Sequence, residues 1–282
     1  MAPSSRTRKL VGLSLLLGSM NACYWITSTD GLTGGDGGNP SRDGGPGSDA
    51  NDDTVVYPPG SGWKLTFHDE FNGNALGQGW TTEYDREGER AHSDPGNGEL
   101  QWYQRENVQV SGGSLKLIAK REDHQASRLF NYTSGMVQSK SILSFQYGYI
   151  EAKIKLPKGN GLHPSFWSWP MSESSTPELD IASFGGGRPN NVTAILRLSN
   201  SQQATKDVLS DTGDWSGAWH TFAIDSEPNG VTWYFDGKPV HNTSFTVNAE
   251  LYLLFTLAVN DQPAASSLQA TYEIDYVRVF TK

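Results

Sequence analysis

From residue 61 to the end, the chain repeats one pattern. Apolar and polar residues alternate with a period of two, the spacing of strands with one buried face. In Tyr147-Gly-Tyr-Ile-Glu-Ala-Lys-Ile-Lys-Leu156, residues Ile150, Ala152, Ile154 and Leu156 point one way, and Tyr149, Glu151, Lys153 and Lys155 the other. Val231-Thr-Trp-Tyr-Phe-Asp-Gly-Lys-Pro-Val240 reads as a hairpin with Asp236-Gly237 as its turn, because Asp-Gly tolerates the positive φ that tight turns require. Leu115–Ala119, Leu251–Val259 and Tyr272–Phe280 read as further strands. No long segment carries a 3.6-residue apolar stripe, and no internal repeat occurs. Many strands joined by polar turns predict an all-β, two-sheet jelly-roll sandwich.

Composition narrows the function. Aromatic residues make up 11% of the chain and charged residues only 19%, a balance that suits a secreted β-domain whose flat rings stack on sugars. A net charge of -9 argues against nucleic-acid binding, because phosphate contacts need clustered Lys and Arg. The single cysteine excludes an intramolecular disulfide and a multi-cysteine metal site.

The N-terminal residues read as targeting. Arg6, Arg8 and Lys9 precede an apolar run, Leu10–Leu17, too short to span a membrane, so residues 1–22 are expected to be a signal peptide. Cys23 follows in Met20-Asn-Ala-Cys23, which resembles a bacterial lipobox, with Ala22 as the small residue before cleavage. Cys23 is therefore the expected lipidation site of a cell-envelope or cell-surface lipoprotein, held to the membrane through that anchor only; a secreted protein with an incidental cysteine is the alternative. Residues 23–60, rich in Gly and Asp, are expected to be a disordered tether, and residues 61–282 the folded domain, expected to be monomeric.

The most informative stretch is Pro177-Glu-Leu-Asp-Ile-Ala-Ser-Phe184, where Glu178 and Asp180 share one face of a strand. With its neighbours in order it resembles glycoside hydrolase family 16, the laminarinase-like β-glucanases and their relatives. The resemblance runs from Phe67-His-Asp-Glu-Phe-Asn-Gly73 through Asn97-Gly-Glu-Leu-Gln-Trp-Tyr103, Tyr132-Thr-Ser-Gly135 and Gly161-Leu-His-Pro-Ser-Phe-Trp167. It continues through Trp219-His-Thr-Phe-Ala-Ile224, Trp233-Tyr-Phe-Asp-Gly237 and Ile274-Asp-Tyr-Val-Arg-Val-Phe280. It implies a concanavalin A-like jelly roll with a glycan cleft across its concave face. It also implies retaining hydrolysis, in which one carboxylate attacks the anomeric carbon and a second protonates the leaving oxygen, then activates water. By the match, Glu178 takes the nucleophile position and Asp180 the assisting one.

The match has gaps. The acid/base position falls on Ser183 in a bulged register and on Ala182 in a regular one, and neither exchanges protons near neutral pH. His163 stands where the family commonly has Trp. Thr193-Ala-Ile-Leu-Arg197 replaces a His-Gly-Thr-x-His pattern, so Arg197 offers a charge to anionic glycans or pairs with Glu178 or Asp180. Asn260-Asp-Gln-Pro-Ala-Ala265 replaces a Gly-Gly-x-Trp-Pro-Gly loop. Glu173, Glu99 and His163 are candidate substitute acids. Asn97, Trp102, His163, Trp167 and Arg197 are the candidate substrate-binding residues. No cofactor is expected for catalysis. Family members often hold a structural Ca²⁺, to which Glu70, a backbone carbonyl near Gly113 and Asp275 correspond; solvated acids are the alternative. Three readings follow: a β-glycanase slowed by the loss of its acid/base, with β-1,3-glucan the default substrate; a glycan-binding protein without turnover; and a surface protein with no ligand.

Overall fold

The computed structural model describes residues 55–94, 98–172, 174–184, 191–199, 202–210, 215–260 and 269–282. All belong to one compact unit within Arg42–Lys282. The leader, Cys23, most of the tether, Asn97 and Glu173 lie outside the described residues.

Eighteen strands form among the described residues. The first nine are β1 (Lys64–Asp69), β2 (Gln101–Tyr103), β3 (Val108–Val110), β4 (Leu115–Lys120), β5 (His124–Gln125), β6 (Leu129–Phe130), β7 (Tyr132–Ser134), β8 (Met136–Gln138) and β9 (Gly148–Lys155). They continue as β10 (Leu162–Pro170), β11 (Glu178–Ser183), β12 (Asn191–Ser199), β13 (Gln202–Ser210), β14 (Trp219–Glu227), β15 (Gly230–Phe235), β16 (Lys238–Thr243), β17 (Leu251–Val259) and β18 (Gln269–Thr281).

Two large sheets result, as the alternation predicts. One has the order β16-β15-β14-β9-β18-β4-β7-β2, with β1 against β18 and β3 against β4; the other runs β13-β12-β11-β10-β17-β8. Strand β9 shows how the sequence builds the sandwich. Ile150, Ala152 and Ile154 are fully buried between the sheets, while Glu151, Lys153 and Lys155 stay partly exposed on the outer face. Tyr149 takes the outer face as expected, yet it is not exposed there. It is 3% exposed, because Trp63 and Tyr234 pack over it on the outer face. Val55 joins the same cluster and Tyr57 lies 5.5 Å from Phe280, so the folded body reaches back into residues assigned to the tether.

Between the sheets, Phe166 of β10 stacks on Phe255 of β17 at 4.5 Å and 7°, and both are completely buried. Truncating either to Ala costs about 3–5 kcal/mol. The predicted hairpin forms as β15 and β16, with Asp236 at φ 46 and Gly237 at φ 71. With Phe166 and Phe255 facing the core, alternation turns His163, Ser165, Trp167 and Trp169 of β10 and Tyr252, Leu254, Thr256 and Ala258 of β17 to the opposite, open face.

Candidate active site

That open face of the six-stranded sheet forms the floor of a cleft of about 1420 Å³. Strand β11 crosses it. Its residues Glu178, Asp180 and Ser183 all line the cleft, although Asp180 and Ser183 are three apart and would face opposite ways on a regular strand. A bulge resolves this. Ser165 pairs with Ser183 and Trp167 with Asp180, so one extra β11 residue is accommodated between the pairs. Phe166 pairs with Ala182, which is fully buried in the core. The two registers left open by the sequence are thereby separated: Ser183 faces the cleft and Ala182 does not.

Glu178 sits opposite Arg197 of β12, and the guanidinium Nη1 donates to its Oε2 at 2.7 Å. Burial pushes the Glu178 carboxyl above its usual range, with Arg197 opposing. Arg197 is thus a partner for Glu178, the pairing alternative for this residue, and not a free cation awaiting an anionic ligand. Asp180 is 6% exposed, its backbone carbonyl accepts from Trp233 Nε1 at 2.9 Å, and its Oδ1 receives no hydrogen bond. Burial first, then the Glu178 charge beside it, raise the Asp180 carboxyl well above the ordinary aspartate range; Arg197 and a hydrogen bond with Ser183 oppose this without offsetting it. Burial and the neighbouring acid thus both favour the neutral form of this carboxyl.

Ser183 is the hub of the remaining polar contacts. His163 Nε2 lies 3.0 Å from its Oγ, and Ser165 Oγ lies at 3.5 Å. Burial lowers the His163 pKa, so its imidazole is neutral near pH 7. A hydroxyl in contact with a neutral ring and a carboxyl can pass protons, although it cannot supply one itself.

Trp167 lines the cleft with its Nε1 donating to Thr256 Oγ1 at 3.2 Å, and Trp169 stands edge-on to it at 5.4 Å. Trp102, the other candidate platform, is placed differently. It lies between His92 and His124, with ring centroids 4.3 and 4.4 Å away and nearly parallel, so both faces of its indole are covered. It is not among the cleft-lining residues. The expectation that Trp102 binds sugar is corrected on this ground.

The candidate Ca²⁺ carboxylates are both engaged by cations. Both oxygens of Glu70 accept from Arg278, at 2.9 and 2.8 Å, and Asp275 pairs with Lys153 at 2.7 Å. Gly113 occupies a turn at φ 76. Carboxylates committed to cations do not offer the convergent free oxygens that Ca²⁺ requires, and no group of three or more acidic, His or Cys side chains suited to a metal occurs among the described residues.

The sequence did not single out part of the cleft wall. Tyr84 lines it, and Arg86 lies 5.1 Å over the Tyr84 ring and 5.4 Å over that of Trp169, while its Nη1 donates to Asp94 at 2.7 Å. Trp169 had a signal, since Phe-Trp-Ser-Trp places it on the face of Trp167; the loop residues had none. Glu99 lines the same wall. Tyr84 Oη, the Asp94 amide and Gln101 Nε2 all donate to its carboxylate, at 3.2, 2.7 and 3.0 Å. Burial nevertheless pushes its pKa up to about 7, with the nearby Asp94 charge adding to the rise.

Comparison with known proteins decides the family. The model for "Glycosyl hydrolases family 16" matches residues 97–263, more than half of the chain. The chain belongs to this family. It is 28% identical over 269 residues to a glucan endo-1,3-beta-glucosidase A1 of Niallia circulans, covering 80% of this chain and 39% of that protein. It is also 28% identical over 238 residues to an endo-1,3-1,4-beta-glycanase of Rhizobium meliloti, covering 77% of this chain and 51% of that one. The chain thus spans about half or less of the length of these relatives. Among solved structures, an endo-beta-1,3-glucanase from Pyrococcus furiosus superposes with a TM-score of 0.72 at 28% identity, covering 80% of this chain and 97% of that one. The family 16 resemblance and the jelly-roll fold are borne out together.

Proposed function

We propose that the family 16 domain takes a β-glucan chain, β-1,3-glucan by default, into the cleft and acts on its glycosidic bonds by a retaining mechanism with Glu178 as nucleophile. One observation carries this reading: the β11 bulge turns Glu178, Asp180 and Ser183 to one face of a cleft of about 1420 Å³. The named relatives, two endo-1,3-glucan-cleaving enzymes among them, support the substrate class. Ser183 fills the place where the family carries its acid/base carboxylate, and no other carboxyl stands at that point of β11. General acid–base catalysis contributes about 10²–10⁴-fold, so turnover of unactivated glucan is reduced by about that factor.

A second reading, a glucan-binding protein without turnover, is favoured by the Arg197–Glu178 contact, which occupies one oxygen of the nucleophile. The anchor at Cys23 and the tether add a cell-envelope location to either reading. Cys23→Ala then shifts the protein from the membrane to the soluble fraction or blocks its maturation.

The test is a gain of function. Ser183→Glu restores a carboxyl at the bulged position, and release of reducing sugar from soluble β-1,3-glucan rises by about 10²-fold, the low end of the acid–base contribution. Ala182→Glu places the same group in the core and gives no gain. Retention of glucan by wild type and Ser183→Glu alike, with no release by either, would establish the binding reading instead.

A further inference from the structure

The cleft holds a polar chain in which Ser183 and His163 have no role in the retaining mechanism as described. Asp180 is buried beside Glu178, its Oδ1 has no hydrogen-bond donor, and the neighbouring cation Arg197 is committed to Glu178. The β11 bulge turns Ser183 to the face of Asp180, whose carboxyl it stabilises in the charged form, and Ser183 Oγ lies 3.0 Å from His163 Nε2. All three groups line the cleft. Among the described residues, the adjacent strands present Glu178 on β11 and Arg197 on β12 as charged groups, Glu99 lines the wall of the same cleft, and β17 presents Thr256 and Ala258.

We propose that Asp180, Ser183 and His163 form a proton relay that stands in for the direct acid/base carboxylate, with Asp180 as proton store, the Ser183 hydroxyl as the group that touches the leaving oxygen, and His163 as the positioning residue. The proposal rests on Glu178 being the nucleophile. In the first step a Glu178 oxygen bonds to the anomeric carbon as the bond to the leaving oxygen breaks. The Ser183 hydroxyl proton goes to that oxygen, and the Asp180 carboxyl proton replaces it on Ser183 Oγ. In the second step water attacks the anomeric carbon and the bond to Glu178 breaks. The water's proton passes to Ser183 Oγ, whose own proton returns to Asp180. One water is consumed and every residue regains its starting protonation.

Each station matches its surroundings. An acid must be protonated at the working pH to serve the first step, and burial of Asp180 beside Glu178 shifts its carboxyl in that direction. The neutral ring of His163 holds the hydroxyl within the cleft without competing for the charge of Glu178. A hydroxyl intermediary is slower than a direct carboxyl, which accords with reduced, not absent, turnover.

The experiment uses the full chain and two probes: soluble β-1,3-glucan, whose leaving group needs a proton, and a dinitrophenyl β-laminaribioside, whose leaving group does not. Ser183→Ala is expected to lower glucan hydrolysis by about 10²-fold from the wild-type rate while leaving the dinitrophenolate burst unchanged. Ser183→Thr, which keeps the hydroxyl, retains glucan hydrolysis. Wild-type glucan hydrolysis falls as pH rises and Asp180 ionises; in Asp180→Asn that limb disappears along with most of the rate. His163→Gln, still able to hydrogen-bond Ser183, keeps the wild-type pH profile, and His163→Leu loses kcat with little change in KM. Glucan hydrolysis by Ser183→Ala at the wild-type rate overturns the relay and leaves Glu178 as nucleophile intact. A wild type that gives the burst but releases no sugar from glucan also overturns it. Absence of any burst in every variant overturns the nucleophile assignment, and the relay with it.

Discussion

The two faces of the sandwich treat their acids in opposite ways. On the outer face of the larger sheet, Glu70 is clamped by Arg278, Asp275 by Lys153, and Glu151 accepts from the hydroxyls of Tyr276 and Tyr149 at 2.8 and 3.3 Å. In the cleft, Glu178, Asp180 and Glu99 are all buried or nearly so, and Arg197 makes its ion pair with Glu178. A paired carboxylate on a sheet face is satisfied by what it already touches. A desolvated carboxyl without its own counter-ion is held at a cost to stability, and such groups mark sites where chemistry needs a shifted pKa. The contrast separates candidate residues that looked alike in the sequence: Glu70 and Asp275 are paired away from the cleft, while Asp180 faces it with no ion pair of its own and Glu178 faces it paired to Arg197.

The comparison can be broken from either face. The largest effect is expected from Glu70→Ala, which leaves Arg278, 5% exposed, without its bidentate partner. About 3 kcal/mol of stability should be lost, read from the urea midpoint, with the dinitrophenolate burst unchanged. A comparable effect with the opposite lesson concerns Glu99. Its carboxyl is raised from 4.5 to about 7 in the folded protein, so between those values the folded state binds more protons than the unfolded one. Its contribution is fully present below pH 4.5 and is lost as pH rises through about 7, by up to about 3 kcal/mol. Urea midpoints measured across that window should fall with pH in wild type and fall less in Glu99→Gln.

Asp180→Asn should have a smaller effect with the sign of a functional site. Because the folded pKa of Asp180 is raised, its ionisation destabilises the fold as pH rises. Removing the titrating group should therefore make the midpoint at pH 8 higher than that of wild type while glucan turnover drops. The smallest effect sharpens the map of the cleft. Trp102→Ala should leave affinity for β-1,3-glucan oligosaccharides unchanged, because its faces are covered by His92 and His124. Trp167→Ala, at the cleft floor, should weaken it by about tenfold, or about 1.4 kcal/mol, in calorimetric titration.

Much of this fold was legible because strand alternation is a local signal. Leu251–Val259 forms as read, and the Asp236-Gly237 turn closes its hairpin. Tyr149 takes the outer face that alternation predicts, but its burial was not legible, because a second layer from Trp63 and Val55 covers that face. In the site, the motif order located Glu178 and Asp180, but the register at Ser183 could not be read from it. A bulge depends on how β11 pairs with β10, and pairing is not a local property. Trp102 shows the same limit. Its place in a motif said that a ring stands there, while the two histidines that cover it come from residues 92 and 124, on either side along the chain. The salt bridge between Glu70 and Arg278 joins residues 208 apart and left no trace in the pattern.

Both the slowed hydrolysis and the relay require Glu178 to act as a nucleophile in an otherwise altered site. The direct measurement is mass spectrometry of the full chain mixed with a dinitrophenyl β-laminaribioside and quenched during the burst. The prediction is a mass increase of one laminaribiosyl unit, mapped by peptide digestion to Glu178, formed also by Ser183→Ala and discharged faster when azide is added. No adduct on wild type, or an adduct that persists in Glu178→Gln, would contradict it.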